Sequence, residues 1–168
     1  MSEIFVTSDT HFFHDKIIKF DPPRPFSTID EHDEALIENW NSVVRAGDLV
    51  IHLGDVFWGN KEKFKSMWPR LAGKKELIVG NHDDIPWLSK GAFFKKVHLW
   101  KVLTDFKLVL THIPMHVSQF HGPHTYGTDF KNVHGHIHSN PTPSEHHINV
   151  SVDVTNYTPV NLEELRVK

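Results

Sequence analysis

The stretch "LIVGNHDDI", residues 77–85, ends an apolar run in a dense group of polar side chains. Residues 77–79 predict a short buried strand, and the glycine and asparagine that follow are typical of a turn. A turn does not require the imidazole of His82 or the carboxylate of Asp83, so these side chains need another explanation. The stretch therefore predicts a functional site at the end of a strand.

The same pattern recurs at other predicted strands. Apolar runs at 4–6, 49–53 and 106–110, and a short strand near 131–134, are followed by side chains that commonly bind metals: Asp9 and His11, Asp55, His112, and His136 and His138. In open α/β sheets the carboxyl ends of the strands share one edge, so these residues and Asn81 are expected to converge. Carboxylate, amide and neutral imidazole ligands suit Mn, Fe, Ni, Co or Zn.

The segments between the strands predict helices and loops. An amphipathic helix is expected over about 29–46, with Ser27 or Thr28 as its N-cap and Gly47 as its C-cap. A second helical pattern includes Phe64 to Leu71, and residues 113–130 are expected to form a long loop. Apolar and polar residues alternate over 147–154, which predicts a final strand. Strands joined by helical stretches predict an α/β fold with a largely parallel sheet core.

Composition limits the function further. The 168 residues suit one domain, 1–168, and the net charge of -3 gives no support to a dedicated nucleic-acid-binding role. The chain has no cysteine, which excludes disulfides, thiolate metal sites and a cysteine nucleophile. No signal-peptide or membrane-span pattern is visible, so a cytoplasmic protein without membrane association is expected.

Five blocks occur in a fixed order: "DTH" at 9–11, "GD" at 54–55, "GNHD" at 80–83, "TH" at 111–112 and "GHIH" at 135–138. This ordered set resembles the calcineurin-like metallophosphoesterases, most closely their small phage and bacterial members. The resemblance implies an α/β fold of the four-layer α/β/β/α sandwich type. It also implies a centre with two divalent metal ions, with manganese expected first and iron, nickel, cobalt or zinc as alternatives.

The resemblance implies a role for each block. The first metal would be held by Asp9, His11 and His138, the second by Asn81, His112 and His136, and Asp55 would bridge the two. A hydroxide held between the metals would attack phosphorus. His82 would contact the substrate phosphate and protonate the leaving group, and Asp83 would orient His82.

Two residues outside the blocks are predicted to contact substrate. His14 follows the first block and Arg24 lies in a loop stiffened by prolines; a solvated or capping role is the alternative for His14. His52 lies inside a predicted strand and is expected to be a core residue with its hydrogen bonds satisfied. His116, His121 and His124 are expected to be polar residues of a mobile loop.

The expected activity is hydrolysis of small or nucleotide phosphodiesters. The second block reads "GDVFWG" and lacks the arginine of protein phosphatases, and the chain leaves no room for a cap domain. Two alternatives stay open: a phosphomonoesterase acting on nucleotides or nucleic-acid ends, and a non-catalytic metal-binding module. The intact His82–Asp83 pair favours the enzyme, because metal binding alone needs no proton donor there. The oligomeric state is left open.

Overall fold

The structure, a computed structural model, describes residues 2–167; Met1 and Lys168, which belong to the predicted domain 1–168, lie outside the described residues. Its helices are α1 (Ile29–Val43), α2 (Lys61–Met67), α3 (Ile85–Lys90) and α4 (Leu162–Leu165). Its strands are β1 (Ile4–Thr7), β2 (Leu49–His52), β3 (Lys74–Ile78), β4 (Val97–His98), β5 (Lys101–Leu103), β6 (Leu108–Leu110), β7 (Lys131–His134), β8 (His147–Asn149) and β9 (Val160–Asn161).

The strands form two sheets. One has the order β4-β3-β2-β1-β9, and the other has the order β5-β6-β7-β8. In the first sheet β1, β2, β3 and β4 run parallel and β9 is antiparallel to β1. In the second sheet β6, β7 and β8 run parallel and β5 is antiparallel to β6. The predicted α/β class with largely parallel sheets is confirmed.

Each central strand contributes side chains to two layers, because successive side chains of a strand point to opposite faces of the sheet. In β2, Val50 packs in the core shared with α1 and α2, whereas Ile51 packs in the core between the two sheets. In β6, Leu108 and Leu110 join that same inter-sheet core. Strands buried on both faces explain the unbroken apolar runs of the sequence.

The outermost layer over the second sheet is thin. Val109 points away from the inter-sheet core and packs with Phe120 and Phe130, which belong to the loop predicted over 113–130. That loop contains a short 3₁₀ turn, Val117–Gln119. The α/β/β/α layering therefore has α1 and the shorter helix α2 on one side and a loop with a helical turn on the other.

Helix α1 begins as expected and ends earlier. The Thr28 side chain accepts a hydrogen bond from the backbone N–H of Glu31, which satisfies one of the free donors of the first turn. The helix ends at Val43, and the C-cap is Val44 in an extended conformation. The predicted end near residue 46 with Gly47 as C-cap is wrong, because the side chain of Asp48 binds the backbone N–H groups of Arg45 and Glu3 and turns the chain into β2.

Two strand predictions are also corrected. The strand expected over 147–154 is only three residues long: β8 ends at Asn149, and the chain turns after it. The strand expected from Phe106 begins at Leu108, because Lys107 adopts a left-handed conformation with φ 56° that ends a 3₁₀ turn. Across residues 2–167, no helix combines the length and the apolar character needed to cross a membrane.

Candidate metal centre

The carboxyl ends of five parallel strands bring the predicted ligands together. One group contains Asp9, His11 and His138, and the other contains Asp55, His112 and His136. Within each group, one potential ligand atom from each residue lies within 4.8 Å of the others. The two groups draw on β1 and β2 of the first sheet and on β6 and β7 of the second, so the centre forms where the two sheets meet.

Asp55 lies between the two groups. Its Oδ2 is 3.6 Å from His11 Nε2 and 3.5 Å from His112 Nε2. Its Oδ1 accepts a hydrogen bond of 2.9 Å from the backbone N–H of His82, which fixes the orientation of the carboxylate. This is the placement that a ligand shared by two cations requires, since two-metal sites hold their ions about 3.5–4 Å apart.

The first group carries buried polar atoms without a protein partner. Asp9 Oδ1 and both ring nitrogens of His11 have no hydrogen-bond partner among the described residues. The other oxygen of Asp9 is occupied: it accepts hydrogen bonds from the backbone N–H of His136 at 2.9 Å and from Ser151 Oγ at 2.5 Å. Burial lowers the pKa of His11, so its imidazole is neutral. Unpaired buried acceptors are costly, and a divalent cation at this position would satisfy them.

The second group is organised around His112. Because a carbonyl only accepts, His112 Nδ1 donates to the backbone oxygen of Leu53 at 2.7 Å, which leaves Nε2 as the available lone pair. That Nε2 lies 2.8 Å from Asn81 Oδ1, and the His136 ring is 5.0 Å from the His112 ring. Burial lowers the pKa of His136 as well. The group thus offers nitrogen and oxygen ligands beside the Asp55 carboxylate.

The backbone at the site is strained. Among residues 2–167, ten residues other than glycine have a positive φ, and five of them are predicted metal ligands: Asp9, His11, Asp55, His136 and His138. A left-handed conformation at such a residue costs of order 1–3 kcal/mol and persists only where its surroundings impose it. This concentration of strain at one place agrees with a functional site rather than with ordinary turns.

Two glycines of the blocks are explained by close approach. A Cβ on Gly80 would overlap the backbone nitrogen and Oδ1 of Asp55. A Cβ on Gly135 would overlap Ser8 Oγ and Asp9 Oδ2. Glycine is therefore required there so that the two carboxylates can reach the centre.

Asp153 is a functional residue that the sequence did not reveal. His138 Nδ1 donates to Asp153 Oδ2 at 2.9 Å, which leaves His138 Nε2 free for a metal. Burial alone would lower the pKa of His138, but the hydrogen bond to Asp153 and the negative charges of Asp9 and Asp153 together outweigh burial and raise the pKa. A carboxylate in this position orients a ligand histidine and increases its basicity. Asp153 belongs to none of the five blocks, so its role has no local signal.

Arg24 lies behind the centre rather than in its mouth. Arg24 as a whole is 4% exposed, and its side chain forms a bidentate pair with Asp153 at 2.8 and 2.9 Å. It also donates to the backbone oxygen of Asp9 at 2.8 Å and to His32 Nε2 at 2.8 Å. The predicted contact of Arg24 with substrate does not agree with this geometry, because its guanidinium is already bound by protein acceptors.

Asp83 also differs from its predicted role. Its Oδ2 accepts hydrogen bonds from the backbone N–H groups of Gly80 at 2.8 Å and Asp55 at 3.1 Å, and its Oδ1 accepts one from Val56 at 3.0 Å. No hydrogen bond joins it to the His82 ring within the described part of the chain. Asp83 therefore ties together the two loops that carry Asp55 and Asn81, and the prediction that it orients His82 is wrong.

His82 and His14 line the exposed mouth of the site. The His82 ring lies 5.8 Å from the His11 ring and 5.1 Å from the ring of Trp58, which is 44% exposed. His14 is half-buried and stacks on Trp58 with ring centroids 4.8 Å apart, and burial lowers its pKa. Both imidazoles face the first ligand group, where a substrate phosphate is expected.

The remaining histidines lie apart from the two groups. His52 is fully buried: its Nδ1 accepts from the backbone N–H of Gly54, and its Nε2 lies 3.0 Å from Thr10 Oγ1. This confirms the prediction of a satisfied core residue. His116 lies against Ser118 and His121 stacks on His146 in the loop region, and His124 belongs to neither ligand group.

Comparison with known proteins identifies the family. The model of the calcineurin-like phosphoesterases matches residues 2–162, and the chain belongs to this family. An uncharacterized protein of Methanocaldococcus jannaschii is 36% identical over 172 residues, which cover 97% of this chain and 89% of that protein. The gene 66 protein of Mycobacterium phage L5 is 36% identical over 86 residues, 49% of this chain and 41% of the phage protein.

A solved structure supports the same assignment. The crystal structure of a protein of unknown function from Aquifex aeolicus is 26% identical and superposes with a TM-score of 0.76, covering 98% of each chain. Family membership, together with the two groups of potential ligands, makes the chain a metal-dependent phosphoester hydrolase that uses divalent cations.

Proposed function

We propose that this chain hydrolyses small phosphodiesters at a centre of two divalent cations. One observation carries the proposal: Asp55 Oδ2 lies 3.6 Å from His11 Nε2 and 3.5 Å from His112 Nε2, between two groups of ligands. The first cation is assigned to Asp9, His11 and His138, the second to Asn81, His112 and His136, and Asp55 is shared by both. Oxygen and imidazole ligands without thiolates favour manganese, with Fe, Ni, Co or Zn as alternatives.

The chain's own residues supply positioning and a proton. When bound, two divalent cations polarise phosphoryl oxygens and lower the pKa of water. The backbone N–H of His82 donates to Asp55 Oδ1 at 2.9 Å, which fixes the main chain of His82 beside the shared carboxylate. We assign His82 as the group that contacts the phosphate and gives a proton to the leaving oxygen, and His14 as a second contact to the phosphate.

The charges around the mouth support a diester over a monoester. A phosphomonoester carries about −1.5 to −2 charge at neutral pH, whereas a diester carries a single negative charge. Two cationic side chains near the centre are already neutralised: Arg24 pairs with Asp153, and Lys61 Nζ lies 2.6 Å from Asp84 Oδ2. The cavity beside His82 is also lined by Phe57 and Trp58, which suit an organic group on the leaving oxygen.

A comparison of matched substrates tests this preference. Chelator-stripped protein reconstituted with Mn²⁺ is assayed on bis(p-nitrophenyl) phosphate and on p-nitrophenyl phosphate, which share a leaving group. The proposal predicts a higher kcat/KM for the diester and loss of activity on chelation. A higher kcat/KM for the monoester would favour a phosphomonoesterase instead, and no turnover of either with metal bound would favour a metal-binding module. The cytoplasmic location and the absence of membrane association stay predictions.

A further inference from the structure

A second cavity, the cavity of Trp100, adjoins the centre on the side of the second ligand group. Its volume is about 370 Å³, and the residues that line it include Asn81, His112, Leu99, Trp100, Ile113 and Met115. Two of these are assigned metal ligands, so the cavity borders the centre at which the phosphoryl group is proposed to bind. The volume lies near the lower end of the range of about 300–1,000 Å³ that small-molecule sites occupy.

The outer wall of this cavity is unusually apolar for an exposed surface. Leu99 is 71% exposed, Trp100 is 54% exposed and Ile113 is 53% exposed. Exposed apolar side chains that gather at one place mark binding surfaces, whereas scattered ones need no explanation. None of the three has a role in the chemistry assigned to His82 and the metal ligands.

The position of the cavity identifies which part of a substrate it would hold. The ring of His82, the assigned proton donor, lies beside His11 of the first group and beside Trp58. The cavity of Trp100 is lined by Asn81 and His112, which belong to the second group. The group that departs must lie at His82, so a group in the cavity of Trp100 is the one that stays on phosphorus.

We propose that the cavity of Trp100 binds a planar aromatic group, such as a nucleobase or an aryl ring, on the retained side of a phosphodiester. The proposal rests on the function proposed above and names its substrate class. Among the described residues, those that line the cavity include no lysine, arginine, aspartate or glutamate, which suits an uncharged occupant. The exposed face of the Trp100 indole offers a stacking surface, and Met115 offers a polarizable thioether of the kind that contacts ring edges.

Three diesters with one leaving group test the proposal. Methyl, cyclohexyl and phenyl p-nitrophenyl phosphate differ only in the retained group, and p-nitrophenolate departs without needing a proton from His82. For the Mn²⁺-loaded protein, kcat/KM is expected to be roughly tenfold higher for the phenyl than for the methyl ester, since stacking of a ring on an aromatic side chain has about this effect. The cyclohexyl ester should fall between them.

The variant Trp100→Ala should remove the preference by lowering kcat/KM for the phenyl ester to about that for the methyl ester. Tyr126→Ala is the matched control, because Tyr126 is also an exposed aromatic residue, at 43%, and it does not line the cavity. Equal kcat/KM values for the phenyl and methyl esters, or a preference that survives Trp100→Ala, would overturn the proposal. Equal values for phenyl and cyclohexyl would overturn its aromatic part.

Binding of the product separates this proposal from the proposed function. Calorimetry on the Mn²⁺-loaded protein compares phenyl phosphate with methyl phosphate and does not depend on turnover. A tighter complex with phenyl phosphate that weakens in Trp100→Ala supports the cavity even if none of the diesters is hydrolysed, a result that would contradict the proposed function alone. Equal affinities would overturn the cavity assignment whatever the activity.

Discussion

At the scale of single residues, the proposed chemistry depends on His82, a histidine that is not assigned as a ligand. A departing alkoxide develops negative charge, so a poor leaving group needs a proton in the transition state, and general acid catalysis contributes about 10²–10⁴-fold. His82→Ala should therefore slow the hydrolysis of diesters whose leaving group is methoxide by about that factor. It should slow p-nitrophenyl esters much less, because p-nitrophenolate leaves without a proton.

Metal content, measured alongside, decides how that result is interpreted. The assigned ligands do not include His82, so His82→Ala should keep its full complement of Mn²⁺. Equal losses of kcat/KM for both classes of leaving group would mean that His82 mainly binds phosphoryl oxygens. Loss of metal in the variant would mean that His82 is a ligand.

A second residue-scale prediction concerns Asp153, which holds His138 through a hydrogen bond of 2.9 Å. Carboxylates that orient ligand histidines contribute about 10–100-fold to metal affinity or activity. Asp153→Asn should weaken the binding of one of the two Mn²⁺ equivalents by about this factor, because His138 belongs to the first group only. Titration of stripped protein with Mn²⁺ measures this.

Asp129→Asn is the control for that titration, because Asp129 forms an ion pair with Lys107 at 2.5 Å and lies in neither ligand group. Equal weakening of both equivalents in Asp153→Asn would point to a general loss of structure instead. Unchanged affinity for both would remove Asp153 from the account of the site.

At the scale of elements, β2 and the turn after it depend on a histidine that must stay neutral. Burial, and to a smaller extent the imidazole of His112, lowers the pKa of His52 from 6.5 to about 3. The ring accepts from the Gly54 N–H through Nδ1, so protonation would break a bond that shapes the turn leading to Asp55. Between these two pKa values His52 is protonated in the unfolded chain but not in the folded one. The free energy of unfolding therefore falls as the pH falls below about 6.5.

Substitution of His52 makes this measurable. His52→Gln should lower the free energy of unfolding of the chelator-treated protein at pH 7.5. The difference in unfolding free energy between wild type and variant should then narrow by about 1.4 kcal/mol for each pH unit below about 6.5, because only the wild type loses stability through His52. Denaturant unfolding at pH 7.5, 6.0 and 5.0 gives the gap directly. A gap that stays constant across these pH values would contradict a neutral, buried His52.

The elements also explain what the sequence could predict. The strand ends were visible because buried parallel strands are continuous apolar runs, and a polar residue that follows such a run stands out locally. The ends of α1 and of β8 could not be seen in the sequence, because Asp48 and the turn after Asn149 act through contacts made only in the folded chain. Local signals therefore located the site more accurately than they located the boundaries of the elements.

The whole molecule is a sandwich whose two sheets meet at the centre. The backbone N–H of Asp9 donates to the backbone oxygen of Gly54, just after β2 of one sheet, while its carboxylate accepts from Ser151 and His136 near the other sheet. The ligand blocks could be predicted because they lie next to strand ends, and the recognisable order of the blocks added their roles. The role of Asp153, the pairing of Arg24 behind the centre, the loop-binding role of Asp83 and the cavity of Trp100 could not be predicted. Each depends on residues that are distant in sequence and meet only through packing.

The central claim is a centre of two metal ions that share Asp55, and a Mn²⁺ titration of chelator-stripped protein tests it most directly. The wild type should bind two equivalents tightly, and Asp55→Ala should weaken both, because Asp55 Oδ2 faces His11 of one group and His112 of the other. Asp84→Ala, which removes an exposed carboxylate paired with Lys61, should still bind two. One tight equivalent in the wild type, or two in Asp55→Ala with unchanged affinity, would contradict the account.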